Sequence, residues 1–259
     1  MAQSLGESPA VSESPDRPAL TAVPDLPELL EDLAASQDAG SRPEEIGDGL
    51  EAMVLHPDYP CLGARSVFNR DRATVVVLEG LATHAATTTL VSALTEFGQG
   101  TDRAAGFASL VAVFRATDVA DETEFETLLW RQLELLHEAD HQAWDPRVSD
   151  DPGNPHFAFS LGGTAFFVVG LHPQSSRIAR RTPLPTLVFN LHEQFEELRG
   201  SDRFDRMRDT IRRRDTELQG SLNPMVADHG RSSEARQYSG RAVPAAWEPP
   251  ASFGDKETR

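Results

Sequence analysis

The chain has 259 residues, 39% of them hydrophobic, and a formal net charge of −17; this is the size of one large domain or one domain with tails. Eleven Asp and Glu against two Arg in residues 1–50 supply nine of those negative charges, so the acidity describes a tail, and a general nucleic-acid partner, which needs a net basic face, is disfavoured. Lys256 is the single lysine and Cys61 the single cysteine, which removes Schiff-base and Walker A lysines, internal disulfides and multi-cysteine zinc sites.

Residues 1–43 read as an acidic tail. Their first part, rich in Ser, Pro, Glu and Ala, buries too little apolar surface to offset ordering entropy and is expected to be disordered. Leu26, Leu29, Leu30 and Leu33 then recur at helical spacing. The folded domain is expected over 44–250, with 251–259 a second disordered tail. A helix over 44–55 stops at His56-Pro57, because the residue before proline is pushed out of the α region. Ala73–Leu78 and Phe107–Phe114 read as buried strands, with a helix between them over Thr83–Phe97. Asp121 caps a helix whose buried stripe is Phe125, Leu128, Leu129, Leu133 and Leu136. Phe157–Leu161, Gly162-Gly163 and Ala165–Leu171 read as a hairpin. A strand from Thr186 runs into a helix ending near Arg199, and another helix follows over Phe204–Leu218. This order predicts an α+β single domain with a mixed, mainly antiparallel sheet flanked by helices. The longest apolar run, Ala165–Leu171, is far short of the ~20 residues of a membrane span, and no secretory h-region is visible at the N-terminus. A cytoplasmic protein with no membrane partner is expected.

Several constellations bear on chemistry. His137-Glu138-Ala139-Asp140-His141 matches HExxH, in which two imidazoles one turn apart hold zinc; the bland reading is two histidines in a last helical turn, suited to the dipole. Cys61, between Pro60 and Leu62-Gly63, is either a small buried hydrophobe or a thiolate favoured by a helix N-terminus and Arg65, able to ligate haem iron. Arg177, Arg180 and Arg181 form a basic loop or a carboxylate clamp. Asn190 to Phe195 places polar groups at a strand–helix junction. Glu234 to Tyr238 lies in an irregular segment that is a lid or a tail.

Together, Y-P-C-L-G-A-R at 59–65, H-F-A-F-S-L-G-G-T-A-F-F-V-V-G-L-H-P at 156–173, S-R-I-A-R-R at 176–181, L-V-F-N-L-H-E-Q-F-E at 187–196, and N-P-M with S-E-A-R-Q-Y-S-G-R at 223–225 and 233–241 resemble the YqcI/YcgG family over roughly 44–250. The resemblance implies a haem-dependent N-hydroxylase, a monooxygenase acting on a guanidine or amine nitrogen of an arginine-like amino acid. Haem b, O2 and an electron-donating reductase are its implied partners. It further implies Cys61 as the leading axial ligand, with His156, His172 and His192 as alternatives. Arg177, Arg180 and Arg181 would meet the propionates, and Glu193 and Glu234 a substrate guanidinium. A non-catalytic haem-binding or redox-sensing protein, and a zinc hydrolase at His137 and His141, are the competing readings.

Overall fold

The structure is a computed structural model that describes residues 24–199, 203–221, 223, 225 and 232–254; the expected disorder of the first residues lies outside these. Its frame is a five-stranded sheet of order β1-β2-β5-β4-β3, from β1 (Ala73–Leu78), β2 (Ser109–Phe114), β3 (Phe159–Leu161), β4 (Thr164–Leu171) and β5 (Thr186–Leu191). β1 and β2 are parallel and every other pair is antiparallel, the mixed α+β arrangement that the alternating periods predict.

β2 is an interior strand buried at all six positions. Because successive side chains point to opposite faces, Leu110, Ala112 and Phe114 enter one core and Val111 and Val113 another. The first core takes α4 (His84–Gly100) and α5 (Glu122–Ala139) with Phe159, Phe166, Phe189 and Tyr238. Each such large apolar side chain contributes ~1.5–3 kcal/mol when fully buried. The second core takes α1 (Leu26–Ser36) and α2 (Pro43–Leu55), with α3 (Leu62–Asn69) packed on it.

Two boundaries differ from expectation. Leu26 and Leu30 of α1 are buried in the second core, so the folded unit includes residues well before 44. Phe253, in the segment expected to be a tail, is only 2% exposed and stacks on Phe157 with ring centroids 5.9 Å apart. Composition alone marks both ends as tails, yet each inserts an apolar side chain into a core.

The hairpin is as predicted. Gly162 and Gly163 adopt φ of 61° and 72°, the left-handed pair of a two-residue turn that matches strand twist. β3 is short, so the edge of β4 beyond it needs other partners. The segment around Tyr238 supplies them: Gly170 N–H donates to the Tyr238 carbonyl at 2.7 Å. The Tyr238 phenol donates to Glu234 at 2.7 Å and accepts from Phe159 N–H at 3.1 Å.

The loop after β1 is held from α5. Ala82 has φ of 59°, and its N–H donates at 2.9 Å to Gln132, whose amide donates at 2.9 Å to Thr87. Gln132 is fully buried. Gln132→Leu therefore strands a backbone N–H and is expected to cost about 1–3 kcal/mol, read as a lower denaturant midpoint at unchanged slope.

α6 (His192–Arg199) continues directly from β5, and α7 (Arg203–Gln219) follows. No helix among the described residues is long and apolar enough to cross a membrane.

Candidate functional site

The strand–helix junction at His192 opens a cavity of about 230 Å³, lined by Arg147, His156, Phe157, Ala165, His192, Glu193 and Glu196 among others. Three distant chain segments meet there. The junction is tied down on its far side: Gln194 accepts from Ala108 N–H at 3.1 Å and donates to the Gly106 carbonyl at 2.8 Å, and Ser109 donates to Asn190 at 2.7 Å. The polar junction thus divides its labour. Asn190 and Gln194 are struts, while His192 and Glu193 face the cavity.

His192 Nε2 lies 3.7 Å from Glu196 and 3.7 Å from Glu234. Glu234 is 8% exposed and receives the Tyr238 hydroxyl. Burial, then the Glu234 charge, raises the Tyr238 phenol well above its ordinary range, so it stays a donor. Glu193 is bridged by two arginines: Arg103, whose Nε donates to Oε1, and Arg147, whose Nη1 donates to Oε2 at 2.9 Å. Arg103 also binds the Gly98 carbonyl at 2.6 Å at the end of α4. Arg147 in turn grips Asp145 through Nε and Nη2. Burial alone would raise the Asp145 carboxyl, yet Arg147 and the Ala165 N–H hold it below the usual carboxylate range.

Of the residues singled out in the sequence, His156, His192 and Glu193 line this cavity, and Glu234 stands behind His192. Arg103, Arg147, Glu196 and Tyr238 join them without having been singled out as site residues. Arg147 follows Asp145 by two residues, a local pairing readable in retrospect, but nothing local connects it to Glu193.

The other predicted residues lie elsewhere. Cys61 is the N-cap of α3, where its sulfur accepts Ala64 N–H at 3.5 Å, and its side chain packs against the second core. Arg65 donates to the Leu55 carbonyl at 3.0 Å at the end of α2. Cys61 and Tyr59 neighbour Arg180, which burial lowers from the usual arginine range. Arg180 donates to the carbonyls of Gly170 at 3.0 Å and Gln237 at 3.3 Å. Arg177 pairs with Asp215, and Arg181 donates to the Ser175 carbonyl at 2.8 Å.

A haem needs a void for its macrocycle, an axial donor opening into it and cations for its propionates. The His156–His192 cavity falls below the ~300–1,000 Å³ of pockets for drug-sized ligands, and a haem is larger than most of those. An open groove of about 610 Å³ beside Met225, Arg236 and Val243 has the volume but contains none of the predicted ligands, and the Met225 sulfur already accepts Val243 N–H. The three predicted cations are engaged by the chain itself. In this arrangement the described residues do not fit a haem.

His172 is fully buried with neither ring nitrogen partnered, stacked on Phe125 at 4.2 Å. Burial lowers it to about 4. The unfolded imidazole, near 6.5, takes up a proton that the folded one refuses. Stability is therefore full above pH ~6.5 and falls as pH drops toward ~4, by about 3 kcal/mol in total. His172→Phe is expected to flatten that window in urea titrations run at several pH values.

His137 and His141 do not form the paired site of the zinc reading. α5 ends at Ala139 with Asp140 as its extended C-cap, so His141 leaves the helical face that His137 occupies. His137 packs edge-on against Trp144 and Phe253. No cluster of three or more metal-ligating side chains occurs among the described residues.

Comparison with known proteins places this site in context. The model of the YqcI/YcgG family matches residues 50–252, a span that contains every residue of the cavity. The chain is 25% identical over 204 residues to the uncharacterised protein YcgG of Bacillus subtilis (strain 168), covering 75% of this chain and 78% of that protein. It is 27% identical over 178 residues to the uncharacterised protein YqcI of the same organism, covering 66% and 67%. No solved structure matches the chain.

Proposed function

This chain belongs to the YqcI/YcgG family, and from that premise we propose that its cavity binds a small amino acid bearing a cationic nitrogen and acts on that nitrogen. The observation that carries the reading is the convergence of His192, Glu196 and Arg147 on one cavity of about 230 Å³, with Glu234 behind the imidazole. The volume suits a free amino acid, and charges of both signs line it.

His192 is the base in this reading. Two carboxylates near Nε2 favour the tautomer that keeps the proton there, which leaves Nδ1 to accept one from the substrate nitrogen. Glu196 and Glu234 then stabilise the imidazolium. The Tyr238 phenol, donating to Glu234 from the core, holds that carboxylate in place. Bond lengths of 3.7 Å are long for hydrogen bonds and are expected to tighten once substrate is bound.

The family resemblance also implies hydroxylation of a guanidine or amine nitrogen by a haem-dependent monooxygenase using O2 and an external reductant, although the cavity as it stands has no room for the macrocycle. Two measurements test the two levels separately. Calorimetric titration with guanidine- and amine-bearing amino acids is expected to show saturable binding; no binding by any of them overturns the pocket assignment. Expression with supplemented haem, followed by an absorption spectrum, tests the cofactor. A colourless protein that still binds the amino acid overturns the oxygenase reading and leaves the pocket.

A further inference from the structure

We propose that Arg147 recognises the α-carboxylate of the substrate, so that the cavity selects α-amino acids over the corresponding decarboxylated amines. This rests on the amino-acid reading of the cavity and adds a specificity-determining residue to it.

Arg147 is an unusual surface arginine. Its side chain is 57% exposed, yet it is fixed from two sides by carboxylates that are themselves fixed. Asp145 is 1% exposed, accepts Ala165 N–H at 3.2 Å and sends its own N–H to Ser160 at 2.9 Å. Glu193 is braced from behind by Arg103. A long cationic side chain ordinarily loses rotamer freedom when it binds an anion; here that loss is already incurred in the fold itself.

The guanidinium also has donors to spare. Of its five N–H groups, Nε and one on Nη2 serve Asp145, and one on Nη1 serves Glu193. One hydrogen on each terminal nitrogen has no partner among the described residues, and the residue lines the cavity. Such a pair matches the two oxygens of a carboxylate, a geometry that lysine cannot reproduce.

Charge placement agrees. Arg103 and Arg147 balance Asp145 and Glu193, so this end of the cavity is neutral before a ligand arrives and tolerates an added anion. The other end carries Glu196 beside His192, with the Glu234 charge behind the imidazole. A zwitterionic amino acid with a cationic side chain satisfies both ends when its carboxylate meets Arg147 and its cationic nitrogen meets the acidic end. A decarboxylated amine satisfies only one.

The test compares L-arginine with its decarboxylated amine, agmatine, by calorimetry on the full chain. The wild type is expected to bind arginine at least about tenfold more tightly, as one charge-assisted bidentate contact provides. Arg147→Gln is expected to reduce arginine to the affinity of agmatine while leaving agmatine unchanged, and Arg147→Lys to restore only part of the preference. Equal binding of the two ligands by the wild type overturns the proposal and leaves the cavity assignment standing. A preference that survives in a folded Arg147→Gln protein also overturns it. If the wild type binds neither, the amino-acid reading itself fails.

Discussion

Alanine in place of His192 is expected to lower kcat toward the amino-acid substrate by ~10²–10⁴-fold, the usual contribution of a positioned general base, with substrate affinity and thermal stability little changed. The ring lies at the cavity wall and is not part of either core, so its removal leaves the packing intact. Glu234→Gln is expected to lower kcat by less. It keeps the shape of the side chain and a carbonyl for the Tyr238 hydroxyl, but removes one of the two charges that stabilise the imidazolium. The pair of variants distinguishes proton transfer from mere binding: a structural role would move KM or stability, whereas a base moves kcat and its pH profile. An unchanged kcat in His192→Ala would remove the imidazole from the chemistry.

The second large effect is on stability. Gly170→Ala is expected to cost about 3 kcal/mol, the upper part of the range for overpacked cores, and to lower Tm by roughly 5–10 °C in a chain of this size. A Cβ at Gly170 would stand 2.6 Å from Phe125 Cε1, 2.8 Å from the Tyr238 carbonyl oxygen and 2.9 Å from Leu129 Cδ1. Two of these neighbours are buried side chains and the third is backbone, so none yields without moving an element. Displacing Tyr238 breaks the 2.7 Å bond that closes the edge of β4 and shifts Glu234 away from His192. The same substitution should therefore impair catalysis as well as folding. Differential scanning calorimetry reads the first effect, and a wild-type Tm in Gly170→Ala would mean that the strap around Tyr238 adapts freely.

The two effects connect because one short segment serves both purposes. Residues 234–240 complete the sheet where β3 stops short, and the carboxylate they carry reaches the cavity from the core side. On the proposed reading, a wall built on an edge-closing strap is held more rigidly than one built on a free loop, which would favour preorganisation of His192 as a base.

Much of the frame is written locally. The apolar runs of β2 and β5, the stripe of α5 with its Asp121 cap, and the Gly162-Gly163 turn are set by side-chain pattern and backbone sterics within a few residues. The sequence therefore determines the α+β class and the position of nearly every element, and the separated motifs determine the family. Cys61 at the start of a helix was also visible, because a helix N-terminus is a local signal. The two tails were misjudged for the opposite reason: whether Leu26 or Phe253 is buried depends on a core assembled from residues far away in the chain.

The site belongs to that second kind. His192 and Glu193 are legible as polar residues at a strand–helix junction, but apart from Glu196 one turn on, their partners come from positions about 40 to 90 residues distant. Nothing in the neighbourhood of Arg147 says that it will meet Glu193, and nothing near Arg177, Arg180 or Arg181 says that their donors will be taken up by Asp215 and by backbone carbonyls. Short-range sterics and apolar periodicity act along the chain and can be read from it. Pairing between charges, and the volume left between elements, exist only once the sheet has brought its loops together.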